Sequence, residues 1–74
     1  MVDASRYPVH VFWSENDGGF IALVPDLPGC SAFGATRVEA VKEVQDAIDA
    51  WIEAMTAAGN PVPRPSKVAP ALHA

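Results

Sequence analysis

The sequence has little of what secreted, membrane-bound or disulfide-stabilised proteins need. Cys30 is the only cysteine among 74 residues, so a disulfide within the chain is excluded, and we expect a reducing, cytoplasmic location. The longest apolar run, residues 20–25, is far shorter than the about 20 residues that span a bilayer. Residues 1–7 lack the apolar centre of a signal peptide. We therefore expect neither export nor membrane insertion.

Basic residues are also scarce. The chain has five Lys and Arg against nine Asp and Glu, a formal net charge of -4, and this balance repels nucleic-acid phosphates. Phosphate recognition needs a basic cluster, whereas the basic residues here are scattered. They are Arg6, Arg37, Lys42, Arg64 and Lys67. We predict no direct binding of DNA or RNA, and a basic protein is the better-fitting partner.

Few side chains are suited to catalysis, and none has a partner at a diagnostic spacing. His10 has no second His or Cys nearby to complete a zinc site, and Cys30 is expected to be a small buried residue at the end of a turn. Asp17 and Asp26 lie in segments typical of turns. We predict no catalytic residue, no metal and no cofactor. The enzymatic alternative is a degenerate nuclease that uses Asp17 or Asp26 with a divalent metal.

Two apolar segments of strand length predict an antiparallel hairpin. Residues 7–14 and 19–24 are rich in β-branched and aromatic side chains, and the acidic, Gly-containing stretch 15–18 separates them. Placing Ser14 opposite Gly19 sets the register, because side chains alternate between the two faces of a sheet. The face expected to form the core carries Val9, Val11, Trp13, Phe20, Ala22 and Val24. The other face carries His10, Phe12, Ile21 and Leu23.

A loop and a short third strand are predicted to follow the hairpin. Pro25 and Pro28 lack N–H donors and Gly29 has unusual backbone freedom, so residues 25–30 form an ordered loop rather than a central strand. Residues 31–34 are short, and Phe33 lies where a third strand is expected. The sheet therefore has at least three strands.

One long amphipathic helix is predicted after the third strand. Thr36 and Glu39 form a capping box at its start, and Gly59 followed by Pro61 marks its end after about 22 residues. Apolar residues recur at helical spacing and form one stripe. They are Val41, Val44, Ile48, Trp51, Ile52 and Met55. We expect this stripe to pack on the hairpin.

These elements predict an α+β fold of order β-β-β-α, in which a three- or four-stranded antiparallel sheet carries the helix on one face. Four of the seven prolines lie in the last fifteen residues, which favours an extended tail. At most a short edge strand is expected there, over residues 67–69. We assign residues 1–66 to the domain and residues 67–74, which contain Pro and Ala, to a C-terminal tail.

The sheet face away from the helix is too apolar for a solvated surface. It presents Phe12, Ile21 and Leu23 beside His10, and one helix covers only one face. Exposed apolar patches on small proteins usually mark association sites. We predict that these four residues form an interface, either for a homo-oligomer (a dimer or tetramer) with two-fold symmetry or for another protein.

The ordered segments also resemble a known family, the HicB-like antitoxins. The resemblance covers residue 7 to about residue 66, and the most specific part is V-P-D-L-P-G-C after D-G-G-F and before a G-x-T helix cap. The motif residues in the turn and loop are Asp17, Gly18, Gly19, Phe20, Pro25, Asp26, Leu27, Pro28, Gly29 and Cys30. Tyr7-Pro8 and Glu39-Ala40 extend the match at either end.

The resemblance implies a partial ribonuclease-H-like fold without the metal-binding carboxylates of the active nuclease. It also implies a function, because members of this family bind a small basic HicA-like toxin, an mRNA-cleaving ribonuclease, and block its RNA-binding and active surface. Many members carry a C-terminal DNA-binding module, and this sequence shows no second helical pattern, so direct binding to an operator is not expected. The remaining alternative is an orphan oligomerisation or ligand-binding domain without a toxin.

Overall fold

The computed structural model describes residues 4–66. A short 3-10 helix, Ala4–Arg6, precedes three strands, β1 (His10–Ser14), β2 (Gly19–Leu23) and β3 (Ser31–Gly34), and one helix, α1 (Arg37–Ala57). The strands form an antiparallel sheet in the order β1-β2-β3, and α1 packs on one of its faces. The predicted α+β architecture is confirmed in this part of the chain.

β1 and β2 pair in the predicted register. Ser14 lies opposite Gly19, and the backbone N–H of Gly18 donates to the Ser14 carbonyl at 2.9 Å, which closes the turn 15–18. Because side chains alternate along a strand, the sheet has two distinct faces. The face toward α1, here called the core face, carries Val11, Trp13, Phe20, Ala22, Ala32 and Gly34. The opposite face, here called the outer face, carries His10, Phe12, Ser14, Gly19, Ile21, Leu23, Ser31 and Phe33.

The predicted capping box starts the helix. The Thr36 hydroxyl accepts a hydrogen bond from the Glu39 backbone N–H at 3.1 Å. The Glu39 carboxylate in turn accepts from the backbone N–H of Ala35 at 3.1 Å, one residue before the N-cap. Two N–H groups at the helix start are thereby satisfied.

The helix ends after 21 residues, close to the expected length. Gly59 has a φ of 75°, and its backbone N–H donates to the Thr56 carbonyl at 3.1 Å. The N–H of Asn60 donates to the Met55 carbonyl at 2.9 Å. This pair of bonds is the Schellman motif, which favours glycine because the residue after the C-cap adopts a left-handed conformation.

The core lies between the sheet and α1. It also includes the loop 25–30 and the segment before β1, and its buried residues are Tyr7, Ala22, Val24, Leu27, Cys30, Ala40, Val44 and Ile48. α1 lies mainly against β3 and only lightly against β1. Gly34 permits this close approach, since a β-carbon at that position would overlap the backbone at Ala40. The position of α1 over β3 leaves the β1 side of the core face less covered.

The predicted helix stripe is wrong at its N-terminal end. Val41 is 40% exposed, and Ala40 is buried in its place, next to Val44. The reason is the tight contact at Gly34, where only a small side chain fits between helix and strand. Further along the helix, Trp51 packs against the core but is only partly buried.

Both hairpin strands are shorter than predicted. β1 starts at His10 rather than at Tyr7, because Pro8 has no N–H to donate to a strand ladder and the Tyr7 side chain enters the core instead. β2 ends at Leu23. Val24 is still buried, and its backbone N–H donates to the Cys30 carbonyl at 3.1 Å across the base of the loop.

Residues 60–66, here called the return segment, run back from the end of α1 to the loop 25–30. The Tyr7 hydroxyl donates to the Pro63 carbonyl. The backbone N–H and the hydroxyl of Ser66 both donate to the Asp26 carboxylate, at 2.8 and 2.7 Å. The predicted edge strand over 67–69 and the predicted tail over 67–74 lie outside the described residues.

Candidate protein-binding surface

The outer face presents an apolar row that crosses all three strands. Phe12 pairs with Ile21, and Ile21 pairs with Phe33, so one side chain from each strand lies in line. Phe33 is 47% exposed and the neighbouring Leu23 is 39% exposed. Phe12 and Ile21 are each partly buried, and α1 lies on the other side of the sheet. The apolar excess predicted from the sequence is therefore present on this face.

The rings on the outer face are held in defined positions. Phe33 lies over Gly19, where a β-carbon would approach the Phe33 ring to 2.5 Å, so the glycine makes room for the ring. His10 stacks on Phe12 with ring centroids 5.3 Å apart and an interplanar angle of 28°. Gly19 thus has a structural role on this face that is separate from its place in the hairpin.

One end of the outer face carries a carboxylate. The Ser14 hydroxyl, which belongs to this face, donates to the Asp17 carboxylate at 2.7 Å, and the Asp17 backbone N–H donates back to the Ser14 hydroxyl at 3.3 Å. Neither Lys nor Arg occurs in the three strands. The outer face is therefore apolar at its centre and negative at the hairpin end.

A second exposed aromatic lies on the opposite side of the sheet. Trp13 belongs to the core face but is 48% exposed, because α1 covers β3 rather than β1. Its ring meets Phe20 edge-on, with centroids 5.3 Å apart. The Arg37 guanidinium lies 4.9 Å above the Phe20 ring. This patch, here called the Trp13 patch, therefore carries a positive charge.

The loop 25–30 uses its motif residues for internal contacts. Leu27 is fully buried in the core, and Asp26 accepts both hydrogen bonds from Ser66. The Pro28 carbonyl accepts from the indole N–H of Trp51 at 3.0 Å. These contacts join the loop to the helix and to the return segment, so they position the core.

The remaining motif residues complete the two turns. Gly18 and Gly29 have φ values of 66° and 80°, and Pro25 lies on the exposed side of the loop.

Cys30 is buried, and this burial raises the pKa of its thiol. A raised pKa favours the thiol over the nucleophilic thiolate, which agrees with the prediction of a small buried residue at this position.

Tyr7 is the other residue whose side-chain pKa is shifted. Burial raises the pKa of the Tyr7 phenol, and the nearby Asp26 carboxylate raises it further. Both effects disfavour the charged phenolate, and the neutral hydroxyl is the form that donates to Pro63. The phenol acts as a hydrogen-bond donor that holds the return segment.

Within residues 4–66, no three His, Cys, Asp or Glu side chains are grouped so that they could hold a metal ion. The two carboxylates considered for a nuclease bond to other parts of the chain, Asp17 to Ser14 and Asp26 to Ser66. No helix among the described residues is both long enough and apolar enough to cross a membrane.

The structure brings together all four interface residues predicted from the sequence. His10, Phe12, Ile21 and Leu23 occupy adjacent positions on the outer face. Sequence reasoning missed Phe33, which completes the row. Its face depends on the β2–β3 register, and the intervening loop with two prolines hides that register. Gly19 was the one indirect signal, because a glycine at the start of a strand can leave room for a ring on a neighbouring strand, as it does here for Phe33.

Comparisons with known proteins agree on one family. A model of the HicB-like antitoxins of bacterial toxin-antitoxin systems matches residues 7–74. The UPF0150 protein Ta0767 of Thermoplasma acidophilum is 33% identical over 69 residues, which are 93% of this chain and 99% of that protein. The UPF0150 protein ssr1765 of Synechocystis sp. is 42% identical over 50 residues, 68% of this chain. The matched part spans 63% of the length of ssr1765.

A solved structure supports the same assignment. A chain of the HicA3 and HicB3 toxin-antitoxin complex superposes with a TM-score of 0.71 at 34% identity, over 84% of this chain and 70% of that one. Sequence and fold therefore point the same way. The chain belongs to the HicB-like antitoxins of bacterial toxin-antitoxin systems.

Proposed function

We propose that this chain is a protein-binding module that neutralises a small basic, mRNA-cleaving toxin of the HicA type in the cytoplasm. Neutralisation occurs by occlusion, in which the bound antitoxin covers the RNA-binding and active surface of the toxin. The observation that carries the proposal is the likeness in sequence and fold to a chain of a toxin-antitoxin complex.

The charge of the chain suits a basic partner. The net charge is -4, and the solvent side of α1 exposes Glu39, Glu43, Asp46, Asp49 and Glu53. Opposite charges steer two proteins together and raise the association rate more than they raise the final affinity. A toxin that binds RNA carries a basic surface, so the same surface is attracted to this antitoxin.

The test is an inhibition assay with the protein encoded by the reading frame beside this gene. We expect that frame to encode a basic protein of toxin size that co-purifies with this chain. The purified neighbour should cleave RNA, and equimolar antitoxin should abolish the cleavage. The proposal is wrong if the neighbouring protein is absent, or if it cleaves RNA equally well with and without this chain.

We further propose that the chain itself is not an enzyme. The nuclease alternative requires carboxylates free to bind a divalent metal, and hydrogen bonds from serine residues engage both Asp17 and Asp26. Incubation of the purified chain with RNA and Mg²⁺ or Mn²⁺ should leave the RNA intact. RNA cleavage that disappears in the Asp26→Asn variant would restore the enzymatic alternative.

An orphan oligomerisation domain is the second candidate, and the uncovered outer face is the observation that favours it. Self-association through this face stays a prediction. Sedimentation velocity of the free protein at micromolar concentration measures it directly. A dimer together with a missing toxin gene favours the orphan domain, whereas a monomer contradicts the predicted homo-oligomer.

A further inference from the structure

We infer that the toxin docks on the outer face, with the exposed Phe33 ring in the contact and Asp17 at its negative edge. This inference rests on the proposed function and names the surface that performs it. The family motif in the loop 25–30 does not identify this surface, because most of its residues are used in internal contacts.

The first argument is the packing of the apolar row. Gly19 lets the Phe33 ring lie against the sheet, and Ile21 borders it on the neighbouring strand. A ring that is already in place loses little conformational entropy when a partner binds. Interface residues that dominate affinity are typically aromatic. Phe33 lies on the edge strand β3 and is, at 47%, the most exposed aromatic ring of the outer face.

The second argument is charge, and it separates two patches of similar exposure. Trp13 is 48% exposed and Phe33 is 47% exposed, so exposure alone does not choose between them. The Trp13 patch carries the Arg37 guanidinium, which repels a basic partner. The outer face ends at the Asp17 carboxylate, which attracts one. Of these two patches, a basic toxin therefore favours the outer face.

The third argument concerns a second copy of this chain as the occupant. Two copies that meet through the outer face bring together two chains of net charge -4. A basic partner meets the same face without this repulsion.

The experiment compares matched aromatic variants in binding to the basic protein encoded beside this gene. Binding of that protein to the full chain is measured by titration calorimetry. We expect Phe33→Ala to weaken binding by about tenfold or more, the usual size for an aromatic side chain that dominates an interface. Trp13→Ala should change the affinity by less than about threefold. The Trp13 ring is about as exposed as the Phe33 ring but lies on the opposite side of the sheet, away from the proposed contact.

A second pair of variants tests the charge argument. Asp17→Asn keeps a side-chain oxygen for the Ser14 hydroxyl but removes the negative charge. Stopped-flow association at low salt should be slower for this variant by about two- to threefold, and high salt should remove the difference. Arg37→Gln should leave the rate unchanged or raise it. If Arg37→Gln slows association and Asp17→Asn does not, the assignment of the outer face is wrong.

Circular dichroism and thermal unfolding show whether each variant is folded. If Phe33→Ala does not fold, Leu23→Thr on the same face replaces it and should weaken binding as well. The inference is overturned if Trp13→Ala costs as much affinity as the outer-face variants, or if a homodimer through this face persists in the presence of the partner. Wild-type protein that fails to bind at all overturns the proposed function, a result distinct from tight binding that ignores the outer face.

Discussion

The loop 25–30 and the outer face differ in how the folded chain uses them. The loop contains the densest family motif, yet its Leu27 is buried, its Asp26 holds Ser66, and its Pro28 accepts a hydrogen bond from Trp51. The outer face contains ordinary strand residues and leaves Phe33 and Leu23 substantially exposed. The comparison teaches that a conspicuous motif can be structural, while the proposed binding surface arises from plain strand alternation.

The largest expected effect on stability comes from a substitution in the loop 25–30. Leu27→Ala removes a fully buried side chain, so the free energy of unfolding should fall by about 2 to 5 kcal/mol. Urea unfolding followed by tryptophan fluorescence measures this change. Leu23→Ala is the matched control on the outer face and should cost about 1 kcal/mol or less, because Leu23 is 39% exposed. Equal losses would abolish the distinction between the two regions.

Trp51 tests the link between the loop and the helix. The ring is partly buried and its indole N–H bonds to Pro28, so Trp51→Ala should cost about 2 kcal/mol, below the about 3 to 5 kcal/mol of a fully buried tryptophan. Trp51→Phe keeps most of the ring and loses the hydrogen bond, for about 1 kcal/mol. Chemical denaturation of both variants separates packing from hydrogen bonding. Identical losses would mean that the hydrogen bond to Pro28 dominates.

Asp26 tests the link between the loop and the return segment. Its carboxylate accepts two hydrogen bonds from Ser66, and Asp26→Ala should destabilise the fold by about 1 to 2 kcal/mol. Asp17→Ala is the control, because Asp17 is exposed in a turn, and we expect about 0.5 kcal/mol or less. Thermal melts of both variants at pH 7 measure the two losses of stability. A larger loss for Asp17→Ala than for Asp26→Ala would contradict the stabilising role of the return segment.

Alkaline pH should weaken the fold through Tyr7. Its pKa is raised above 10.0 by burial and by Asp26, so above that pH the unfolded chain releases the phenol proton first. The folded state then binds more protons than the unfolded state, and stability falls as pH rises from about 10 toward the pKa of the folded protein. At pH 7 this contribution is fully present.

The pH effect has a matched control. In Tyr7→Phe the alkaline decline above pH 10 should become shallower in a series of urea midpoints between pH 8 and 11. Cys30, whose pKa burial raises above 9.0, acts in the same direction from a lower pH, so Cys30→Ala isolates its share. An unchanged slope in Tyr7→Phe would show that the phenol is not the titrating group.

The sequence predicted the local elements well because their signals are local. The capping box at Thr36 and Glu39, the Schellman glycine at position 59 and the Ser14–Gly19 register each depend on a few neighbouring residues. The family resemblance, confirmed by the comparisons, depended on the spacing of such segments.

What the sequence did not predict depends on contacts between distant residues. The exposure of Trp13 and Val41 follows from the position of α1 over β3, which the packing at Gly34 sets. The contacts of Tyr7 with Pro63 and of Asp26 with Ser66 join residues 56 and 40 positions apart. Hydrophobic periodicity describes which side of an element is apolar, but it does not describe where one element lies against another.

The smallest expected effect on stability is that of a substitution on the outer face, because this face should contribute little to folding. Leu23→Thr introduces a β-branched residue suited to a strand, and the unfolding free energy should change by about 0.5 kcal/mol or less. Ala22→Thr, one residue away but fully buried on the core face, should cost about 1 to 3 kcal/mol by overpacking. Urea titrations of the two variants give the contrast directly. If Leu23→Thr destabilises the free protein as strongly as Ala22→Thr does, the outer face is part of the core, and its apolar side chains then need no partner to explain them.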